Sequence, residues 1–276
     1  MLIEAYDPFL EMNPFFKEPR NYYEAHAHEI LGSIVFYQIL YMSSPYISHA
    51  LFGKHYEEQS KKSKANFDIH IVSMVQCLIS ILSIVPLIGD KHLNESSVLN
   101  YTPYAAFVSS ITIGYFVWDL WVCLKYFKLF GVGFLLHAVA ALFVFSSTLR
   151  PFCLGWVASF LSFELSTPFV NINWFVSRLP AGTVSPKFVA INGLLVIITF
   201  FIVRIVWGFY AIYLVVFDMW AVKDEVSWFL CIVIVGLNFA LDALNLFWFQ
   251  KMVAIAAKKI RGGKTETKKS DTKKSE

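Results

Sequence analysis

Charge is scarce in this chain: Asp, Glu, Lys and Arg make up 16% of its 276 residues, where a water-soluble chain carries about a quarter. So little charge cannot cover a water-facing surface. That excludes secreted and cytosolic globular domains and leaves no basic surface for nucleic acid. Cysteine is scarce too. Cys77, Cys123, Cys153 and Cys231 are the four, all inside apolar runs and none at metal-ligand spacing, so apolar packing is their expected use. Also missing are a Gly-rich phosphate loop, His-Glu-x-x-His, Cys-x-x-Cys and Gly-x-Ser-x-Gly, the patterns of nucleotide, zinc, redox and hydrolase chemistry. His26 and His28 alternate near the N-terminus, which is weak evidence for metal, so neither metal nor cofactor is expected. Residues 1–29 are acidic and lack the basic start and short apolar core of a cleavable signal peptide, so the first apolar run is expected to be retained.

What the chain has in quantity is apolar residues, 57% of the total, gathered into long runs. A spanning helix needs about 20 mostly apolar residues. Seven stretches qualify: 30–52, 69–88, 103–124, 129–149, 151–170, 188–217 and 226–250. The alternating short segments of a β-barrel are absent. The expected fold is therefore an all-α, polytopic membrane bundle of about seven transmembrane helices. Little more than Arg150 and Pro151 marks the break between the fourth run and the fifth, which implies a tight hairpin there, and six spans with a re-entrant piece is the alternative.

Lys and Arg set the orientation. The loop at 53–68, the turn with Lys125 and Lys128, the loop with Arg178 and Lys187, and the C-terminal tail hold seventeen of the twenty-three basic residues. The opposite side holds Lys17, Arg20, Lys91, Arg150 and Lys223. This bias places the C-terminus in the cytosol and residues 1–29 in the lumen. Asn94-Glu95-Ser96 is a glycosylation sequon in a loop that this threading makes lumenal. The chain ends Lys273-Lys274-Ser275-Glu276, which resembles the dilysine signal that returns membrane proteins to the endoplasmic reticulum through a retrieval coat. Residues 261–276, rich in Lys, Ser and Thr, read as a disordered basic cytosolic tail.

Ionisable residues inside spans are costly and usually face a bundle interior. This chain places Asp119, His137, Glu164, Arg204 and Asp242 inside its runs, with the amides Gln76, Asn238 and Asn245. At about 1.5 Å per residue, Gln76, Asp119, His137, Glu164 and Asp242 lie roughly 8–12 Å below the cytosolic boundary on five different helices. One polar chamber opening toward the cytosol is the expectation, with Arg204 as counter-charge to Glu164 or Asp242. Asn238, Asp242 and Asn245 share helical spacing and could form one polar stripe.

Five motifs in order are similar to the TLC-domain family over residues 66–257. They are Gly114-Tyr115 with Asp119-Leu120; Phe134-Leu135-Leu136-His137-Ala138; Glu164-Leu165-Ser166-Thr167-Pro168-Phe169-Val170-Asn171 followed by Trp174-Phe175; Phe200 to Ile205; and Leu241-Asp242 with Leu244-Asn245 and Trp248. The resemblance is to the small TLC-domain-containing branch. It divides the chain into residues 30–65, a first helix and cytosolic loop, and residues 66–260, a six-helix TLC domain. It implies an endoplasmic-reticulum protein around a lipid-accessible cavity. Related ceramide synthases carry a His-His pair where this chain has His137 and Ala138, and their acidic signature is missing here. The function expected is lipid binding in the chamber and a contribution to membrane lipid homeostasis, with membrane lipids as partners. The alternative is an acyl-CoA-dependent N-acyltransferase in which His137 is the base and Asp119 orients it.

Overall fold

The computed structural model describes residues 6–180 and 182–274, with side chains through Lys258, and these contain no strand. Seven long helical segments follow one another, one on each of the seven apolar runs. They are α1 (Ala27–Phe52), α2 (Lys61–Ser83, prolonged by a 3₁₀ turn at Val85–Leu87), α3 (Pro103–Lys125), α4 (Val132–Thr148), α5 (residues 154–176, in several pieces), α6 (Pro186–Ala221) and α7 (Trp228–Lys274). Five of them, α1, α2, α3, α6 and α7, are long and apolar enough to cross a bilayer, and α4 is a shorter apolar helix.

Local chemistry explains where helices begin. Ser60, Thr102 and Ser185 each accept the N–H three residues ahead, from Ser63, Ala105 and Phe188. Pro103 and Pro186 then fill the first helical position, where a missing N–H costs nothing.

Packing closes the seven helices into a ring in the order α1, α3, α4, α7, α6, α5, α2 and back to α1. An apolar core including Phe116, Phe145, Leu149, Leu154 and Leu161 joins α3, α4 and α5. α1 and α3 cross tightly at Gly114 of α3, where a Cβ would stand 2.5 Å from Ser33 Cβ of α1. Ser33 Oγ donates to the Ile111 carbonyl beside it at 2.6 Å. Small residues allow two backbones to meet this closely when lipid supplies no hydrophobic drive between helices.

The outer faces carry large apolar side chains such as Tyr46, Leu82, Phe229 and Ile232, as a lipid-facing surface requires. Basic side chains lie over aromatic rings near helix ends: Lys125 over Trp121 at 4.5 Å, Arg178 over Trp174 at 5.3 Å and Lys64 over Tyr56 at 5.5 Å. All three pairs sit where α2 begins and α3 and α5 end. This is the composition of an interfacial belt.

Candidate functional site

Two of the seven helices give up regular α geometry part-way along their length, and each does so at a charged residue. In α5 a 3₁₀ segment, Ser162–Ser166, carries Glu164. Pro168 follows, and it has no N–H to donate to the Glu164 carbonyl four residues back. In α6 a π segment, Phe201–Val206, carries Arg204. Irregular backbone at membrane depth is tolerated where it is buried in protein or lines a cavity, and π turns often mark functional positions.

The two irregular segments face each other. Arg204 Nε donates to Ser166 Oγ at 3.0 Å and Nη2 to Thr167 Oγ1 at 3.2 Å. Glu164 Oε1 lies 4.0 Å from Nη2, with both side chains largely buried. The guanidinium also sits 5.3 Å from the centre of the Phe200 ring. The planar fork of Arg204 therefore reads three successive polar positions of the Glu164-to-Asn171 motif.

A small cavity of about 60 Å³ opens beside this pair, lined by His137, Glu164, Arg204, Asn238, Asp242 and Asn245, with Phe116, Phe160 and Phe163 among its apolar walls. Asn238, Asp242 and Asn245 form one buried stripe on α7. Asn238 Nδ2 is spent on the Ile234 carbonyl at 2.9 Å, while Asp242 Oδ2 is buried with no hydrogen-bond partner. Gly208 of α6 leaves the space that Asp242 occupies: a Cβ there would lie 3.2 Å from Asp242 Oδ1. The site thus holds one guanidinium, two carboxylates, an imidazole and two amides around a space that takes a few water molecules. Such a set can bind a polar, hydrogen-bonding group and neutralise either sign of charge on it.

Of the six residues expected to line a chamber, His137, Glu164, Arg204 and Asp242 border this cavity. Gln76 and Asp119 do not. Gln76 Oε1 accepts the Tyr37 hydroxyl of α1, and its Nε2 donates to Ser80 Oγ at 2.8 Å, so its amide is used between α1 and α2. Asp119, on α3, has Glu164 as its charged neighbour. The His137 ring meets Phe116 and Trp248, at 6.1 and 5.8 Å between centroids, and its charged neighbour is Arg204. Among the described residues no hydrogen bond joins His137 to Asp119.

Several side chains that organise the site were not singled out from sequence. Ser166 and Thr167 hold Arg204. Asn171 Nδ2 donates to Ser73 Oγ at 3.0 Å, tying α5 to α2, and Asn192 Nδ2 donates to the Phe169 carbonyl at 3.0 Å, tying α6 to α5. Three of these lie in the Glu164-to-Asn171 motif, and the clustering of small polar residues there was the available signal. Elsewhere, Asn94 is exposed on a short helix, Lys91–Glu95. Lys273 and Lys274 lie outside the residues whose side chains are described.

Residues 66–254 match the family described as the TLC domain. The chain is 41% identical to the Topoisomerase I damage affected protein 4 of Saccharomyces cerevisiae, over 91% of each chain. It is 36% identical to an uncharacterised TLC domain-containing protein of Schizosaccharomyces pombe, over 96% of this chain and 89% of that one. The human TLC domain-containing protein 4 is 28% identical over 78% of this chain and 83% of its own length.

Proposed function

The chain belongs to the TLC-domain family, and from that premise we propose that it is a multi-pass endoplasmic-reticulum protein that binds the polar head of a membrane lipid between α4, α5, α6 and α7 and contributes to membrane lipid homeostasis. The observation that carries this reading is the meeting of two broken helices at Glu164 and Arg204. Polar side chains facing a shared space inside an apolar bundle are expensive unless they serve a polar ligand or each other. Asp242 is the sharper case, because its buried Oδ2 has no partner and accepts a donor from whatever enters. At about 60 Å³ the cavity is sized for a few water molecules, so a head group enters as the segments around Glu164 and Arg204 part. The Lys and Arg bias supports a cytosolic C-terminus, and the terminal lysines support retrieval to the endoplasmic reticulum.

Mass spectrometry of the protein purified in mild detergent tests the reading. A discrete lipid class should be retained, and His137→Ala should lose it while keeping the melting temperature, since a neutral imidazole leaves no stranded charge. Equal lipid retention by wild type, His137→Ala and Asp242→Asn would overturn it. Retained acyl-CoA would move the assignment to N-acyl transfer.

A further inference from the structure

At the other end of the bundle, Asp7 of the N-terminal segment meets two buried side chains at the start of α1. Asp7, His26 and Glu29 are 1%, 0% and 5% exposed, and their ligand-type atoms all lie within 4.8 Å of one another. His26 Nδ1 is 2.7 Å from Glu29 Oε2 and 3.7 Å from Asp7 Oδ2.

Asp7 and His26 are each oriented by a further contact. Asp7 Oδ1 accepts the Phe9 N–H at 2.9 Å, which leaves Oδ2 for the histidine. His26 Nε2 lies 2.8 Å from the Tyr101 hydroxyl, at the foot of α3. Tyr101 is itself stacked on Tyr22 at 3.9 Å between centroids. In the tautomer that donates Nε2–H to the Tyr101 oxygen, Nδ1 is free to bind a cation shared with the two carboxylates, the role outer partners of metal-bound histidines play.

With both carboxylates ionised, two carboxylates and one imidazole sum to minus one even with the histidine protonated, and burial opposes that charge on Glu29. Asp7 Oδ2 and Glu29 Oε1 are buried with no hydrogen-bond partner, and so is Nδ1 of the adjacent His28. A buried carboxylate oxygen with nothing donating to it is costly. One divalent cation would remove both deficits. We propose that Asp7, His26 and Glu29 form a binding site for a zinc-class divalent metal ion that pins the N-terminal segment to α1 and α3. One imidazole nitrogen with two carboxylate oxygens suits zinc and is poor for calcium, which takes oxygen donors only. Bonds of about 2.0–2.2 Å gather these atoms with a small side-chain adjustment, and water or His28 completes a four-coordinate shell. The site uses none of the residues of the chamber between α4 and α7, and neither proposal depends on the other.

The test is zinc itself, on the full chain purified in mild detergent with an affinity tag that contains no histidine and then stripped with chelator. Added Zn²⁺ should be retained at about one ion per chain by elemental mass spectrometry and should raise the melting temperature. Co²⁺ should give a visible absorption spectrum that excess Zn²⁺ abolishes. Asp7→Asn and Glu29→Gln should each lose retention, and His92→Ala, at an exposed histidine beside Glu95, should not. No uptake of Zn²⁺ or Co²⁺ by the wild type would overturn the proposal, as would a preference for Ca²⁺ or full retention by Asp7→Asn. The wild-type titration decides the matter even where a variant fails to fold.

Discussion

Arg204 is held more closely by Ser166 than by its charge partner Glu164: Nε donates to Ser166 Oγ at 3.0 Å, while Glu164 Oε1 stands 4.0 Å from Nη2. The arginine can therefore lose the carboxylate and keep two hydroxyl acceptors, whereas Glu164 without Arg204 has no other cation within ion-pair distance among the described residues. Breaking a buried pair by removing one partner costs about 3–5 kcal/mol. Arg204→Ala should fall in that range and Glu164→Ala should cost less. The double variant should cost less than the sum, because no stranded charge is left. Arg204→Lys should not restore stability, since an ammonium cannot span Ser166 and Thr167 as the fork does. Thermal or denaturant unfolding in detergent measures all four. Equal effects of Glu164→Ala and Arg204→Ala would mean that the hydroxyls contribute nothing.

Gly114 gives a second stability prediction. Its Cα faces Ser33 of α1, and a methyl added there would stand 2.5 Å from Ser33 Cβ and 2.6 Å from the Ile30 carbonyl oxygen. Backbone cannot yield as a flexible side-chain tip can. Gly114→Ala should therefore push α1 from α3 and cost about 1–3 kcal/mol, as overpacking does. Gly193, inside α6 with nothing within 4 Å of a built Cβ, is the control. Gly193→Ala should be neutral or stabilising by about 0.5–1 kcal/mol, through helix propensity alone. Destabilisation by both would place the effect in the helices themselves and not at the crossing.

The course of the chain was legible because apolar runs of spanning length are a strong signal, and one of the seven helical segments lies on each run. What length and hydropathy do not encode is how a helix bends. Pro168 was visible in the fifth run, yet the break runs over Ser162–Ser166 and the helix goes on to Val176. The π turn at Phe201–Val206 has no proline to announce it. The site was partly legible for a similar reason. Depth along a helix follows from counting residues, and that brought His137, Glu164 and Asp242 to one layer. Depth does not fix which way a side chain faces, so Gln76 was grouped with them although it bonds Tyr37 and Ser80. The cluster of Asp7, His26 and Glu29 was invisible, because Asp7 reaches His26 only after the chain folds back along α1.

Orientation is tested by protease protection. If basic residues set the threading, protease added to sealed microsomes should remove a tag fused after Glu276. A tag inserted next to Asn94, exposed on its short helix, should be protected. Glycosidase treatment should also shift the mobility of wild type but not of Asn94→Gln if the sequon is used. A protected C-terminal tag would reverse the threading, and the retrieval role of the tail would go with it.

The last prediction concerns the two lysines near the end of the chain. A generic basic tail acts through net positive charge at an anionic membrane surface, and there any lysine pair should count equally. A retrieval signal is read by position from the C-terminus, so only Lys273 and Lys274 should matter. Changing both to Ser should release part of the protein to later compartments, seen by fluorescence microscopy against organelle markers. Changing Lys268 and Lys269 together removes the same charge and should leave the distribution unchanged. If both pairs released the protein equally, charge would explain the tail and retrieval would not; if neither did, residence in the endoplasmic reticulum would rest on the bundle itself.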